Sequence, residues 1–272
     1  MSDIWENFFK NSGVWKGCFN RFTPEGKLVS VTPSCLTLAR SGDTSASFQI
    51  VRYPERKAAE EFKTEFSSIN RSSIFFPDGS FSKGSMQLSP FSEFVAELSL
   101  TLPSERLRLV QAFQPGGGGD YLVLIQETRE GCEQIQRPRV SFDRLCGLWR
   151  GQAMTYLNNW FALDPVDTES KLERLPSGQW LYSWQVGSDR GQAQARLDGS
   201  RLLFEQDGQP YQLLLLPYGG ASLCPIAIQR HAPFRCELMF FVDSTIRLRI
   251  IRRYLSDGSW VDQSLIREEK ID

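Results

Sequence analysis

Histidine is nearly missing from this sequence: of 272 residues only His231 is one. A histidine-dependent triad would have to be built on that residue, and a multi-histidine metal site cannot be built from this chain. His231 precedes Ala232 and Pro233 and reads as a surface loop position. The six cysteines stand at 18, 35, 132, 146, 224 and 236 with no Cys-x-x-Cys pair, so zinc-ribbon spacing is absent and no metal is expected. Net charge is nearly absent as well, with 31 Lys and Arg against 32 Asp and Glu. That gives no footprint for nucleic acid; the local run Arg247, Arg249, Arg252 and Arg253 fits a local basic patch, and a solvated strand face at least as well. No apolar run reaches the ~18 residues of a membrane span, and the opening Met-Ser-Asp-Ile-Trp-Glu lacks the core of a secretory signal. Gly116 to Gly119 lack the Lys-Ser/Thr that would complete a phosphate loop. These absences predict a soluble, cytoplasmic protein with reduced thiols, no cofactor, no transmembrane segment and no nucleic-acid partner.

What is present is a repeat. Gly13-Val14-Trp15-Lys16-Gly17 returns 134 positions later as Gly147-Leu148-Trp149-Arg150-Gly151. Arg106-Leu107-Arg108-Leu109-Val110 returns at an offset of 141 as Arg247-Leu248-Arg249-Ile250-Ile251, and Leu124-Ile125-Gln126-Glu127 returns in the same register as Leu265-Ile266-Arg267-Glu268. Between them, Pro77, Gly79, Phe94 and Glu97 fall on Pro217, Gly219, Phe234 and Glu237 at an offset of 140. Three colinear matches spanning both halves indicate duplication. The polar stretch from Arg129 to Arg139 has linker composition, which divides the chain into residues 1–130, a linker over 131–139, and residues 140–272.

Each half reads as strands. Phe94, Ala96, Leu98 and Leu100 alternate with their neighbours, as do the runs from Arg106 to Phe113 and from Ile246 to Ile250, and period two marks half-buried strands. Asp198-Gly199, Asp207-Gly208 and Asp257-Gly258 are hairpin signals, because such turns need positive φ. Meandering antiparallel sheet follows, and closing it into a barrel removes its exposed edges. Residues 3–11 carry Ile4, Trp5, Phe8 and Phe9 at helical spacing with Ser2 or Asp3 as N-cap. Residues 55–66 fit a helix or an exposed edge strand equally well. The fold expected is all-β: two tandem antiparallel barrels with a short N-terminal helix.

The Gly-x-Trp at the start of a first barrel strand, preceded by a short helix, resembles the lipocalin, or calycin, signature. The resemblance implies that the tryptophan closes one end of each barrel and that an arginine from a late strand packs over it. Trp15 and Trp149 match the tryptophan, and Arg108 and Arg249 are assigned as the arginine. Such a cation–π stack contributes ~0.5–2 kcal/mol. The whole chain is similar to a two-barrel family of cyanobacteria and plastid-bearing organisms. The residues that carry this are the two Gly-x-Trp openings, Phe75 to Ser82, Ser89 to Phe94, and Cys224-Pro225 with Pro233, Phe234 and Glu237. That likeness implies a fold and no established activity. A more distant resemblance is to the lipocalin-shaped phycobilin lyases, which bind an open-chain tetrapyrrole and help attach it to a cysteine of a light-harvesting subunit. Those are usually single barrels, whereas this chain has two.

Glu97 and Glu237 break apolar surroundings at equivalent positions, and hairpins near 103 and 243 set them close to Arg108 and Arg249. One reading is a cross-strand pair worth ~0.2–1 kcal/mol. The other is a buried pair whose guanidinium fork holds a ligand carboxylate. An arginine stacked on tryptophan cannot easily do both, which makes Arg106 and Arg247, on the same strand face, ligand-facing candidates. Trp160, Phe161, Trp180, Tyr182 and Trp184 supply apolar walls for a pocket, or core, or an interface between barrels. Three functions fit: a binding protein for an apolar or amphipathic small molecule, a chaperone-like bilin lyase, or a non-catalytic assembly factor with filled barrels.

Overall fold

The computed structural model describes residues 4–137 and 139–271. The first unit begins with helix α1 (Ile4–Phe9), followed by β1 (Gly13–Phe22), β2 (Leu28–Gly42), β3 (Ser45–Arg52), β4 (Glu60–Phe66), β5 (Ile74–Phe75), β6 (Phe81–Gly84), β7 (Phe94–Thr101), β8 (Glu105–Phe113) and β9 (Gly119–Arg129). The second comprises α2 (Phe142–Leu145), β10 (Gly147–Leu157), β11 (Val166–Arg174), β12 (Trp180–Val186), β13 (Asp189–Asp198), β14 (Arg201–Gln206), β15 (Gln209–Leu215), β16 (Gly220–Pro225), β17 (Phe234–Phe241), β18 (Ile246–Tyr254) and β19 (Trp260–Ile271). The all-β tandem is therefore as the sequence predicts. The expected N-cap of α1, Ser2 or Asp3, lies outside the described residues. Residues 60–66 of the ambiguous segment form a strand at the sheet edge.

The two sheets differ in closure. Strands β10 to β19 run in sequence order and close, β10 pairing with β19. The first nine strands curl in the order β4-β3-β2-β1-β9-β8-β7-β6-β5, and β4 and β5 stay unpaired to each other. The reason lies in one strand. In the second unit β14 bridges β13 and β15, bracketed by turns at Gly199 and Gly208 with positive φ. In the first, residues 67–73 cross the corresponding place without forming a strand.

Alternation is read correctly, but the apolar side of β7 does not face its own lumen. Phe94, Ala96, Leu98 and Leu100, with Leu107 and Leu109 of β8, join Cys236, Leu238, Phe240, Leu248 and Ile250 in one cluster spanning both units. Phe94 meets Phe234 at 5.3 Å and Tyr254 at 4.9 Å between ring centroids. Arg252, fully buried at this seam, donates to Ser72 O, Ser82 Oγ and Ser85 O of the first unit and lies 3.7 Å from the Trp260 ring. At the β8–β9 tip Gly117 accepts a backbone bond from Ile228, and a Cβ there would stand 2.3 Å from Ile228 O, so only glycine permits the contact. No helix among the described residues is long and apolar enough to cross a membrane.

Candidate functional site

The floors of the two units are built alike. Gly13 and Gly147 adopt φ of 126° and 108°, conformations that L side chains rarely adopt, and turn the chain from each helix into its first strand. Trp15 and Trp149 are then fully buried, and each indole Nε1 donates to the carbonyl four residues earlier, Asn11 O at 2.9 Å and Leu145 O at 3.1 Å. The arginines over them are not the expected ones. Arg106 lies 4.4 Å from the Trp15 ring and Arg247 4.4 Å from the Trp149 ring, with Arg129 and Lys270 as further cations. Register explains the exchange. Trp15 pairs with Arg129 and Gly17 with Glu127, while Arg106 also pairs with Glu127 and Arg108 with Ile125, level with Phe19. Arg106 is thus nearer the floor, and Arg108 sits higher, 5.8 Å from the Phe19 ring.

Two carboxylates per unit hold these arginines, all buried except the partly exposed Glu97. Glu127 Oε2 accepts from Arg106 Nε at 2.5 Å and Arg108 Nε at 2.9 Å, and its Oε1 accepts from Arg108 Nη2 at 3.0 Å. Arg108 Nη1 reaches Glu97 Oε1 at 2.9 Å, and Lys83 Nζ takes the other oxygen at 3.0 Å. In the second unit Glu268 accepts from Arg247 Nε at 2.6 Å and Arg249 Nη1 at 3.0 Å, and Arg249 Nε donates to Glu237 at 2.6 Å. Glu127 and Glu268 escaped the sequence reading, although they end the Leu-Ile-x-Glu repeat that helped define the duplication. The second glycine of each opening motif belongs to the same feature. A Cβ on Gly17 would stand 2.0 Å from Gln126 O, and one on Gly151 1.9 Å from Arg267 O, next to these glutamates.

Burial alone would push these carboxyls up, but the cations beside them win. Lys83 and Arg108 hold Glu97 at about 2, Arg247 and Arg249 hold Glu268 at about 2, and Arg106 and Arg108 hold Glu127 below the usual range. Burial lowers Arg106 despite Glu127, whereas Glu127 and Glu97 together outweigh burial at Arg108 and raise it.

Above this floor the first unit is hollow. A cavity of about 340 Å³ is walled by Phe8, Leu36, Leu38, Phe48, Phe66, Ile69, Phe75 and Phe81, with Thr64, Asn70 and Ser73 as polar spots and Lys83, Arg106 and Arg108 at its base. Thr64 and Phe66 of β4 and Phe75 of β5 all line it, so it lies at the unclosed side. Three cations face two carboxylates there, leaving one positive charge in excess. The second lumen is filled from its floor through its centre. Trp149, Leu172, Trp180, Tyr182, Phe204, Tyr211, Leu213, Met239 and Phe241 pack together, and the space left between Trp149, Leu172, Tyr182 and Arg247 is about 10 Å³. That is room for about one water and no ligand.

The candidate residues therefore scatter. Arg106 and Arg108 line the first cavity, with Glu97 behind them. Glu237, Arg247 and Arg249 form the network of the filled barrel. Trp180 and Tyr182 are core, not pocket wall. Trp184, farther along the same strand, lies at the barrel mouth beside Arg235. Trp160 belongs to the seam, its Nε1 donating to Ser73 O at 3.1 Å. One strand face carries Trp180, Tyr182 and Trp184, but successive same-face residues are ~6.8 Å apart, so the row runs from packed centre to open end.

Residues 1–132 match the family model described as "Domain of unknown function (DUF3598), N-terminal". A crystal structure of a DUF3598-family protein of unknown function from Nostoc punctiforme aligns over 100% of both chains at 36% identity with a TM-score of 0.93. The chain belongs to the DUF3598 family. Within this DUF3598 chain, residues 136–271 match the model described as "Biogenesis factor required for ATP synthase 1, C-terminal domain". The S-type phycobiliprotein lyase CPES from Guillardia theta aligns with 48% of this chain and 90% of its own at 12% identity and a TM-score of 0.38. No curated protein matches the sequence.

Proposed function

We propose that this DUF3598 protein is a non-catalytic biogenesis factor that acts on subunits of an ATP synthase. The observation that carries the reading is the match of residues 136–271 to the biogenesis-factor model, on a barrel whose lumen is occupied by its own side chains. The packed centre of the barrel makes it a rigid body whose outer surface can hold another chain. The test is direct. The purified protein is mixed with each recombinant ATP synthase subunit in turn and run on a sizing column, and a strain lacking the gene is assayed for assembled synthase. Co-elution with at least one subunit and a several-fold fall in assembled enzyme are expected. Normal assembly in the deletion strain, together with no co-elution, would sink the reading.

A second reading is favoured by the first unit's cavity: a site for a small amphipathic molecule, its apolar body against Phe48, Phe66 and Phe81 and an acid group at Lys83, Arg106 and Arg108. Its volume of about 340 Å³ falls at the lower end of ligand sites. A bilin is one molecule of this kind. Native mass spectrometry of protein expressed with and without bilin synthesis tests it. A co-purifying mass that disappears in a Lys83→Glu variant supports the reading, and bare protein from every source removes it.

A further inference from the structure

The mouth of the second barrel holds an arginine that the duplicated scaffold does not require. Arg235 is 8% exposed, and its Nε and Nη2 have no hydrogen-bond partner. Its nearest carboxylate oxygen, Glu237 Oε2, stands 3.7 Å from Nε and is itself without a hydrogen bond. In the first unit the matching position is Val95, and the matching carboxylate Glu97 has its second oxygen taken by Lys83 at 3.0 Å. Leaving buried guanidinium donors without an acceptor costs free energy. The guanidinium carbon lies 4.9 Å from the Trp184 ring and 5.8 Å from the Tyr211 ring. These groups line a cavity of about 520 Å³ that Phe234 and Tyr254 also border.

We infer that this cup binds a small planar, unsaturated molecule carrying a single oxyanion, with the acid on Arg235 and the flat body against Trp184 and Tyr211. Guanidinium forks match carboxylate and phosphate oxygens, and aromatic walls favour a ring system. The rim sets the charge of the ligand. Arg253 is already held by Asp262 and Asp189, and the exposed Glu205, Asp207 and Arg190 line the same cavity. Those acids disfavour a polyanion. The site is separate from the first unit's cavity and stands whether or not the protein serves ATP synthase biogenesis.

The probe is 8-anilinonaphthalene-1-sulfonate, an aromatic monoanion, compared with its neutral counterpart N-phenyl-1-naphthylamine. Both are titrated by fluorescence into the full chain and its variants. The anionic probe is expected to show in wild type a binding phase that weakens at least tenfold in Arg235→Leu and is unchanged in Lys83→Glu, which alters the first unit's cavity instead, while the neutral probe changes less than twofold in Arg235→Leu. Trp184→Ala should weaken both. If Arg235→Leu does not fold, Arg235→Lys keeps the charge but loses the fork, and the anionic probe alone should weaken several-fold. No binding to wild type, equal loss of both probes in the Arg235 variant, or unchanged binding in both variants overturns the proposal.

Discussion

Glu127 accepts two guanidinium groups at zero exposure, and the consequences of removing its charge differ from those of a surface pair. Glu127→Gln keeps the shape but leaves Arg106 and Arg108 facing each other with one carboxylate fewer. Breaking a buried pair from one side costs ~3–5 kcal/mol, whereas exposed pairs are worth ~0–1 kcal/mol. A urea midpoint lowered to that extent is expected for Glu127→Gln and for Glu268→Gln. An exposed control, Lys16→Gln, which breaks the pair with Glu130, should barely move it. The same carboxylates set the acid limit. Glu97 and Glu268 lie at about 2 in the folded chain against 4.5 ordinarily. Their folded values are depressed, so the stability they contribute is complete above about 4.5 and is lost as pH falls from there toward 2. Urea midpoints measured from pH 7 to pH 2.5 should drop steeply below 4.5. The drop should be shallower in Glu97→Gln, already weaker at neutral pH. An equally steep drop in that variant would remove Glu97 as its source.

At the scale of elements, the glycines fix how closely first and last strands approach. A Cβ at Gly17 or Gly151 would meet a carbonyl oxygen of β9 or β19 at 2.0 or 1.9 Å, distances that force the strands apart. Gly17→Ala and Gly151→Ala should therefore each destabilise by at least the ~1–3 kcal/mol of an overpacked site. Gly116→Ala, which meets nothing within 4 Å but has φ of 91°, should cost only its backbone strain. Ranked thermal midpoints of the three variants check this. Much at this scale was legible. Period two located the strands, Asp198-Gly199 and Asp207-Gly208 bracketed β14, and the equivalent glutamates found their arginine partners. Closure was not, because alternation reports which face a residue occupies and not which strand lies beside it. A hint existed: the stretch between Phe66 and Ile74 has no counterpart of the Asp-Gly turns that bracket β14. The exchange of Arg106 and Arg108 was hidden for a related reason. Both lie on one face, and only the register of β8 against β9 decides which reaches the floor. The hollow and filled lumens depend on side chains from many strands meeting, which spacing along the chain does not encode.

At the scale of the molecule, the two units are joined through one core. The two units share a cluster in which Phe94, Leu98, Leu100 and Leu109 lie against Phe234, Leu238, Phe240 and Ile250. Separating them would expose this face on both sides, together with Arg252 and the seryl groups it binds. The connecting stretch ties them further, Arg137 bonding to both Glu105 and Val242 O. The whole chain should therefore unfold in a single calorimetric transition whose van't Hoff and calorimetric enthalpies agree. Residues 1–132 expressed alone should show no such transition and should self-associate. Phe94→Ala probes the seam itself. Burial of a phenylalanine removed from a core costs ~3–5 kcal/mol. Here that loss falls on contacts with Phe113, Phe234 and Tyr254, two of them in the other unit. If the seam carries the cooperativity, this variant should split the heat-capacity peak into two. The lower-temperature component is expected in the first unit, whose sheet stays open between β4 and β5. A single peak merely shifted to lower temperature would mean that other seam contacts suffice to hold the units together.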